Sequence, residues 1–319
     1  MSNDRLIQEI AKAYENSPAV QKLLRSTALL PPELRAMFES LAQLTTVTLQ
    51  ARMKSFDDKL KTAATDLERD GVCVIPAVFD TAEIDAMRGG VFRALLDANP
   101  TGKYRNGGKV QYVGKGDNAV PSIMFWPTLI STSLNGIRVD PRMAAIVAKF
   151  VGPNARQLNN QVYLRLPSED DSFNWHQDIM FRQPIEDHPR IEETYLQTIV
   201  AIDDVTADNG GIEFIMGSHK FGKLPFKAEQ RSHLRSFSDD DLPQELRDLE
   251  RKVPQLEAGD MMLWGVLTAH ASRPNRTTRT RLTYMNGFCA VESAKDWPIY
   301  SEDGVVVEHA DNAMIPRDY

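Results

Sequence analysis

The chain has 319 residues, 42% of them hydrophobic, with 37 basic against 44 acidic side chains and a net charge of −7. That balance lacks the basic excess of a nucleic-acid or membrane-surface binder, and no run approaches the roughly 18 apolar residues of a membrane helix. Cys73 and Cys289 are too few and too far apart for a disulfide framework or a thiolate zinc site, so a reducing, cytoplasmic setting is expected.

Residues 1–66 predict a helical N-terminal extension. Leu6, Ile7, Ile10 and Ala11 recur at helical spacing, Met37, Leu41, Leu44 and Leu49 more loosely, and Pro31-Pro32 separates two helices. The opening MSNDRLIQEIAKAYE is amphipathic and carries acids, unlike a secretory leader. An apolar stripe on an otherwise solvated helix suits a structural role or the pairing of two copies in a homodimer.

Residues 67–319 read as one catalytic domain of different texture. Asp70-Gly71 signals a turn, and Val72-Cys73-Val74-Ile75-Pro76 a short strand. Asp80-Thr81-Ala82-Glu83 opens a helix that continues as IDAMRGGVFRALLDA. Residues 101–122 are glycine-rich and read as irregular, with Lys103, Arg105, Lys109 and Lys115 against Asp117. A solvated loop is the bland reading of that stretch, and a lid that meets an anionic substrate the sharper one.

From about residue 155 short strands dominate: QVYLRLP, TYLQTIVAID, GIEFIM, GDMMLWG and RLTYMNGFCA. Turns at Asp208-Asn209-Gly210-Gly211 and Ala258-Gly259-Asp260 separate several of them, and a polar insertion occupies roughly 220–254. Many short strands broken by such turns predict a mainly β fold with some α, a jelly roll or barrel, and argue against a βαβ fold.

The informative segment is Phe173-Asn174-Trp175-His176-Gln177-Asp178. Alternate side chains of an extended segment share a face, so His176 and Asp178 can address one ion. His270 follows the strand Gly259–Trp264 and offers a distant third ligand. Two histidines and one carboxylate make a facial triad, the donor set of non-haem Fe(II) oxygenases. Arg281 begins the strand RLTYMNGFCA, where a guanidinium can clamp a carboxylate. Arg279 lies two residues earlier and competes for that role.

The runs NWHQD, DNGGIEFIMGSHK and HASRPNRTTRTR, in that order, resemble the phytanoyl-CoA dioxygenase family over roughly residues 68–290. The resemblance implies a double-stranded β-helix core and Fe(II)- and 2-oxoglutarate-dependent oxidation of a small molecule by O2. It implies His176, Asp178 and His270 as iron ligands and Arg281 as the partner of the distal carboxylate of 2-oxoglutarate, with Ser272 supporting it. Asn160, Gln161, Tyr163, Gln197 and Thr198 are further candidates for co-substrate contacts, depending on which way each strand faces. Decarboxylation to succinate and CO2 with hydroxylation of a C–H bond is the implied reaction. Asp178 disfavours a halogenase, which keeps a small residue there.

Plainer readings remain beside these. His219 reads as a turn cap, and His188, His233 and His309 as exposed. Trp175 and Trp264 read as packing, Asn209 as a turn residue, and the methionines as core. A cupin-like metal enzyme without 2-oxoglutarate is the main alternative function, and Arg281 argues against it. A non-catalytic binding protein on the same fold is the other, opposed by four intact site residues.

Overall fold

The computed structural model describes residues 55–97, 109–113, 119–167, 172–182, 184–225 and 238–315. Most of the N-terminal extension, with any surface for a homodimer, lies outside the described residues, as do Lys103, Arg105, Lys115 and His233. A helix (α1) covers residues 55–70 and runs through the expected domain boundary at 66–67. Its Phe56, Leu60 and Ala63 form one helical stripe and are buried in the main core.

After α1 come β1 (Val72–Ile75) and α2 (Thr81–Asp97). The start of α2 is a reciprocal cap: Glu83 N–H donates to Asp80 Oδ1 (3.0 Å) and Asp80 N–H to Glu83 Oε2 (2.8 Å). Two strands follow, β2 (Lys109–Val113) and β3 (Val120–Phe125), then α3 (Thr132–Arg138) and α4 (Pro141–Phe150). The long β4 (Ala155–Arg165) and short β5 (Phe173–His176) precede β6 (Leu196–Ala201) and β7 (Ile212–Ile215). The remaining strands are β8 (Arg251–Lys252), β9 (Met261–Trp264), β10 (His270–Ser272), β11 (Arg281–Ala290), β12 (Ile299–Glu302) and β13 (Val305–Val306).

Among the described residues these strands make two antiparallel sheets. The larger runs β1-β9-β6-β11-β4-β12-β13, with β3 also on β4 and β2 on β3; the smaller runs β5-β10-β7-β8. Two such sheets, the one facing the other, are the expected jelly roll. The hairpin β2–β3 departs from the irregular reading of residues 101–122. Ile123 and Phe125 pair with Tyr163 and Gln161 of β4, so a non-local ladder holds β3 and, through it, β2.

Both faces of the large sheet are covered. Val200, Met261, Leu263, Leu282, Tyr284 and Phe288 face α2 and α4, packing with Ile84, Met87, Val91, Met143 and Ile146. Ile199, Ala201, Met262 and Trp264 face the small sheet and meet Phe214. Burial on both sides explains apolar runs such as Met261–Trp264, in which alternation is invisible.

Candidate metal centre

β5 and β10 are neighbours in the small sheet, and His176 stands directly opposite His270. Their ring centroids are 4.1 Å apart. The chain leaves β5 into a tight 3-10 turn beginning at Asp178. That turn returns the carboxylate to the histidines: Asp178 Oδ1 lies 3.9 Å from His176 Nε2 and 3.8 Å from His270 Nε2. One ligand atom from each of the three lies within 4.8 Å of the others.

The orientation of each ligand is held from behind. His176 Nδ1 donates to the Asn174 carbonyl (2.9 Å), and His270 Nδ1 to that of Thr268 (2.8 Å). With a proton on each Nδ1, both Nε2 lone pairs face the shared point. The indole N–H of Trp264 donates to Asp178 Oδ2 (2.9 Å), so Oδ1 is the oxygen left for an ion. Burial, with the His270 ring beside it, holds the His176 imidazole well below its ordinary value, and it is neutral at pH 7. Gln177, between the two ligands, points the other way and is fully buried. Its amide donates to the carbonyls of Gly222 (2.8 Å) and Leu267 (2.6 Å) and accepts from Leu224 N–H (2.8 Å). Two imidazoles and one carboxylate, open on one side, suit a six-coordinate Fe(II) that needs room for other ligands.

The open side faces a cavity of about 520 Å³. Its long wall is the pair β4/β11, whose inward residues match as Arg165–Arg281, Tyr163–Thr283, Gln161–Met285 and Asn159–Gly287. Arg281 is 6% exposed; its Nη2 donates to the Gly210 carbonyl (2.6 Å) and its Nη1 to Thr283 Oγ1 (3.2 Å). Burial and the facing Arg165 pull its guanidinium down to about 10, against the pull of Asp203, so it remains charged at pH 7. Among the described residues no carboxylate forms an ion pair with Arg281, and a buried guanidinium in that state suits a carboxylate ligand. Arg165 Nη2 donates to Ser272 Oγ (3.3 Å) and to the Arg273 carbonyl (2.9 Å), which gathers Ser272 to the same end.

Of the candidate residues, His176, Asp178, His270, Arg281, Ser272, Gln161 and Tyr163 line this one cavity, as does Gln197. Thr198 and Asn160 do not. Thr198 Oγ1 donates to the Asn286 backbone carbonyl (3.2 Å), and the Asn160 amide donates to the side chains of Tyr284 (Oη, 2.7 Å) and Asn286 (Oδ1, 2.8 Å), which do not line the cavity either. Arg279 is exposed and outside the cavity. His188, read as exposed, is half-buried and lines the cavity, whereas His309 is exposed as expected. His219 follows the Gly217 turn, with Nε2 donating to the Glu68 carbonyl (3.1 Å). Trp175 lies outside the cavity, its indole bonded to Asp239. Arg165, Arg182, Tyr195, Asn159 and Trp297 also line the cavity and were not anticipated. Only strand parity could have marked Asn159 and Arg165, since Gln161 and Tyr163 share their face.

The family model for phytanoyl-CoA dioxygenase (PhyH) matches residues 67–283. A probable alpha-ketoglutarate-dependent hypophosphite dioxygenase from Stutzerimonas stutzeri is 25% identical over 175 residues, 54% of this chain and 57% of that protein. The match thus spans little more than half of that relative's length. Among solved structures, the epimerase SnoN in complex with Fe3+, alpha ketoglutarate and nogalamycin RO has a TM-score of 0.56 and 22% identity, covering 78% of this chain and 88% of its own. EctD from S. alaskensis with 2-oxoglutarate and 5-hydroxyectoine has a TM-score of 0.57 and 20% identity, covering 72% and 76%. At these identities the structural matches establish the fold.

Proposed function

The chain belongs to the phytanoyl-CoA dioxygenase family, and from that premise we propose that it is a 2-oxoglutarate-dependent non-haem iron dioxygenase that hydroxylates an unactivated C–H bond of a small anionic metabolite, releasing succinate and CO2. The observation that carries the reading is the convergence of three ligand atoms within 4.8 Å on the cavity that also holds the buried Arg281. When bound, iron and 2-oxoglutarate supply the activation of O2 and the oxidising equivalents.

The protein's part is binding and orientation. His176, Asp178 and His270 would hold the metal, and Arg281 with Ser272 and Thr283 would receive the far carboxylate of 2-oxoglutarate. Gln161 is 6% exposed, lines the cavity, and has no hydrogen-bond partner for Oε1 among the described residues. Its amide is therefore available to a ligand. Phe173 and Phe181 stand against the His176 ring, at 4.5 and 5.5 Å between centroids, and would give a bound metal an apolar rim on that side. The hypophosphite dioxygenase named above takes a small oxyanion, which supports an anionic substrate here.

An anaerobic titration with Fe(II) and 2-oxoglutarate tests this. The weak visible charge-transfer band of the chelate should need both additions, vanish in His176→Ala, and require far more 2-oxoglutarate in Arg281→Ala. Iron binding without any response to 2-oxoglutarate would favour a cupin-like metal enzyme. A band without succinate release on exposure to O2, across candidate substrates, would favour a binding protein.

A further inference from the structure

Two acceptors on the cavity wall have no donor. Asn159 is 8% exposed, and its Oδ1 has no hydrogen-bond partner among the described residues; the same holds for Nδ1 of the half-buried His188. Both residues line the cavity. Asn159 stands six residues from Arg165 on β4, about 20 Å at ~3.4 Å per residue, and Arg165 pairs with Arg281. A 2-oxoglutarate seated on Arg281 does not reach that far along the strand.

The direction of each acceptor is fixed by a backbone carbonyl behind it, which can only accept. Gln197 Nε2 donates to the Asn286 carbonyl (2.9 Å), so Oε1 is the end of that amide turned to its neighbours. Gln197 Oε1 accepts from the Tyr195 hydroxyl and from Asn159 Nδ2 (3.4 Å). Tyr195 Oη itself accepts from Arg182 Nη2 (3.0 Å), which leaves the hydroxyl proton for Gln197. With Nδ2 given to Gln197, the other end of the Asn159 amide is the acceptor Oδ1. The His188 ring donates to the Ser293 carbonyl, and because Nδ1 has no partner the donating nitrogen is Nε2. Burial chiefly, with Arg182 beside it, lowers the His188 imidazole below its ordinary value. The ring is therefore neutral at pH 7, and Nδ1 holds a lone pair.

We propose that the primary substrate carries a hydroxyl or an amide N–H and that Asn159 Oδ1 and His188 Nδ1 receive such donors. This rests on the iron and 2-oxoglutarate reading above. A buried acceptor is costly until a donor reaches it, and here the protein supplies none. A substrate with the donor completes the site, whereas an analogue without it leaves the acceptors unmatched, so the two residues select between them. Trp297, Phe181 and Met285 also line the cavity and give an apolar wall to the skeleton that bears the donor.

The test uses the full chain loaded anaerobically with Fe(II) and saturating 2-oxoglutarate, titrated by calorimetry with two matched pairs. One is 4-(hydroxymethyl)benzoate beside 4-(methoxymethyl)benzoate, the other hippurate beside N-methylhippurate. All four carry the anionic group proposed above, and within each pair methylation removes the donor and keeps the acceptor oxygen. In at least one pair the donor-bearing member should bind about 3- to 10-fold tighter, the effect of one hydrogen bond. Which pair shows the larger preference separates a hydroxyl substrate from an amide. Asn159→Leu should bring that ratio close to one and leave 2-oxoglutarate affinity unchanged, while Asn159→Asp, which keeps the acceptor, should retain the preference. His188→Phe keeps a ring, removes Nδ1 and should also shrink the ratio; it carries the test if Asn159→Leu does not fold. Donor-bearing probes that fail to bind, equal affinity within both pairs, a preference that survives in both Asn159→Leu and His188→Phe, or loss of 2-oxoglutarate in Asn159→Leu would each overturn the proposal. Absence of the visible band on loading the unaltered protein is a separate outcome, which removes the cofactor reading and this proposal with it.

Discussion

The indole N–H of Trp264 donates to Asp178 Oδ2 at 2.9 Å, joining the end of β9 to the carboxylate of the metal centre. One carboxylate oxygen is thereby occupied and the other directed at the two histidines. Trp264→Phe keeps an aromatic ring in the buried site and deletes this bond. Iron affinity is expected to fall about 10- to 100-fold, the usual effect of removing an outer partner of a ligand. A metal titration read by fluorescence or calorimetry checks this, and a melting curve of the apoprotein separates it from a packing loss.

Gln177 acts in the opposite direction from the ligands on either side of it. Its amide satisfies two carbonyls and one N–H from the 222–224 and 267 segments. Gln177→Leu leaves those groups without partners inside the protein, which is expected to cost about 3 kcal/mol. Urea unfolding measures the loss. Iron affinity should fall as well, because His176 and Asp178 flank the residue.

Gly210 holds φ +78, and a Cβ there would meet Arg165 Nε and the Arg273 carbonyl, each at 3.0 Å. Its own carbonyl accepts from Arg281. Gly210→Ala is strained in the left-handed conformation by about 1–2 kcal/mol and displaces the turn that seats Arg281. The expected outcome is weaker 2-oxoglutarate binding, by roughly tenfold, with iron affinity in its absence unchanged. Equal losses of both would show that the turn supports the whole site and not the arginine end alone.

His219 supplies a pH dependence. Its Nε2 donates to the Glu68 carbonyl, and its Nδ1 packs so closely on Gly71 that a Cβ there would lie at 2.4 Å. Burial chiefly, with Lys220 beside it, lowers its pKa below the ordinary 6.5. The unfolded chain therefore takes up a proton here at a higher pH than the folded chain does. Stability linked to His219 is fully present above about pH 7 and declines as pH falls through the unfolded value near 6.5. Denaturant midpoints compared between pH 7.5 and pH 5.5 should drop less in His219→Gln than in the unaltered protein. An identical drop in both would assign the dependence to other groups.

The cluster of His176, Asp178 and His270 that could hold a metal was legible because its members obey local rules. His176 ends β5 and Asp178, two residues on, opens the turn after it, so the pair stay close along the chain, and His270 follows a strand that the turn at Ala258–Asp260 introduces. The hairpin β2–β3 was not legible, since its order comes from pairing with β4, far along the chain. Arg182 and His188 were missed for a similar reason. They sit in short turns after Asp178, where no periodicity says whether a side chain looks into the protein or away from it.

By itself, then, the sequence determined the chemistry of the donor set, the β-rich architecture and the arginine that begins β11. Those depend on residue type and on spacing within a strand or turn. Which of Gln197 and Thr198 faces the cavity was decided only by the assembled sheets. Both faces of β6 are buried, so Leu196–Ala201 shows no polar side, and neighbouring residues differ only in pointing opposite ways. The packing of helices on one face and the small sheet on the other turns Gln197 into the cavity, where it bonds Tyr195, and leaves Thr198 out of its lining. The same packing brings Arg182 and Arg281 to the lining of one cavity, a relation between residues almost a hundred positions apart that no local pattern encodes.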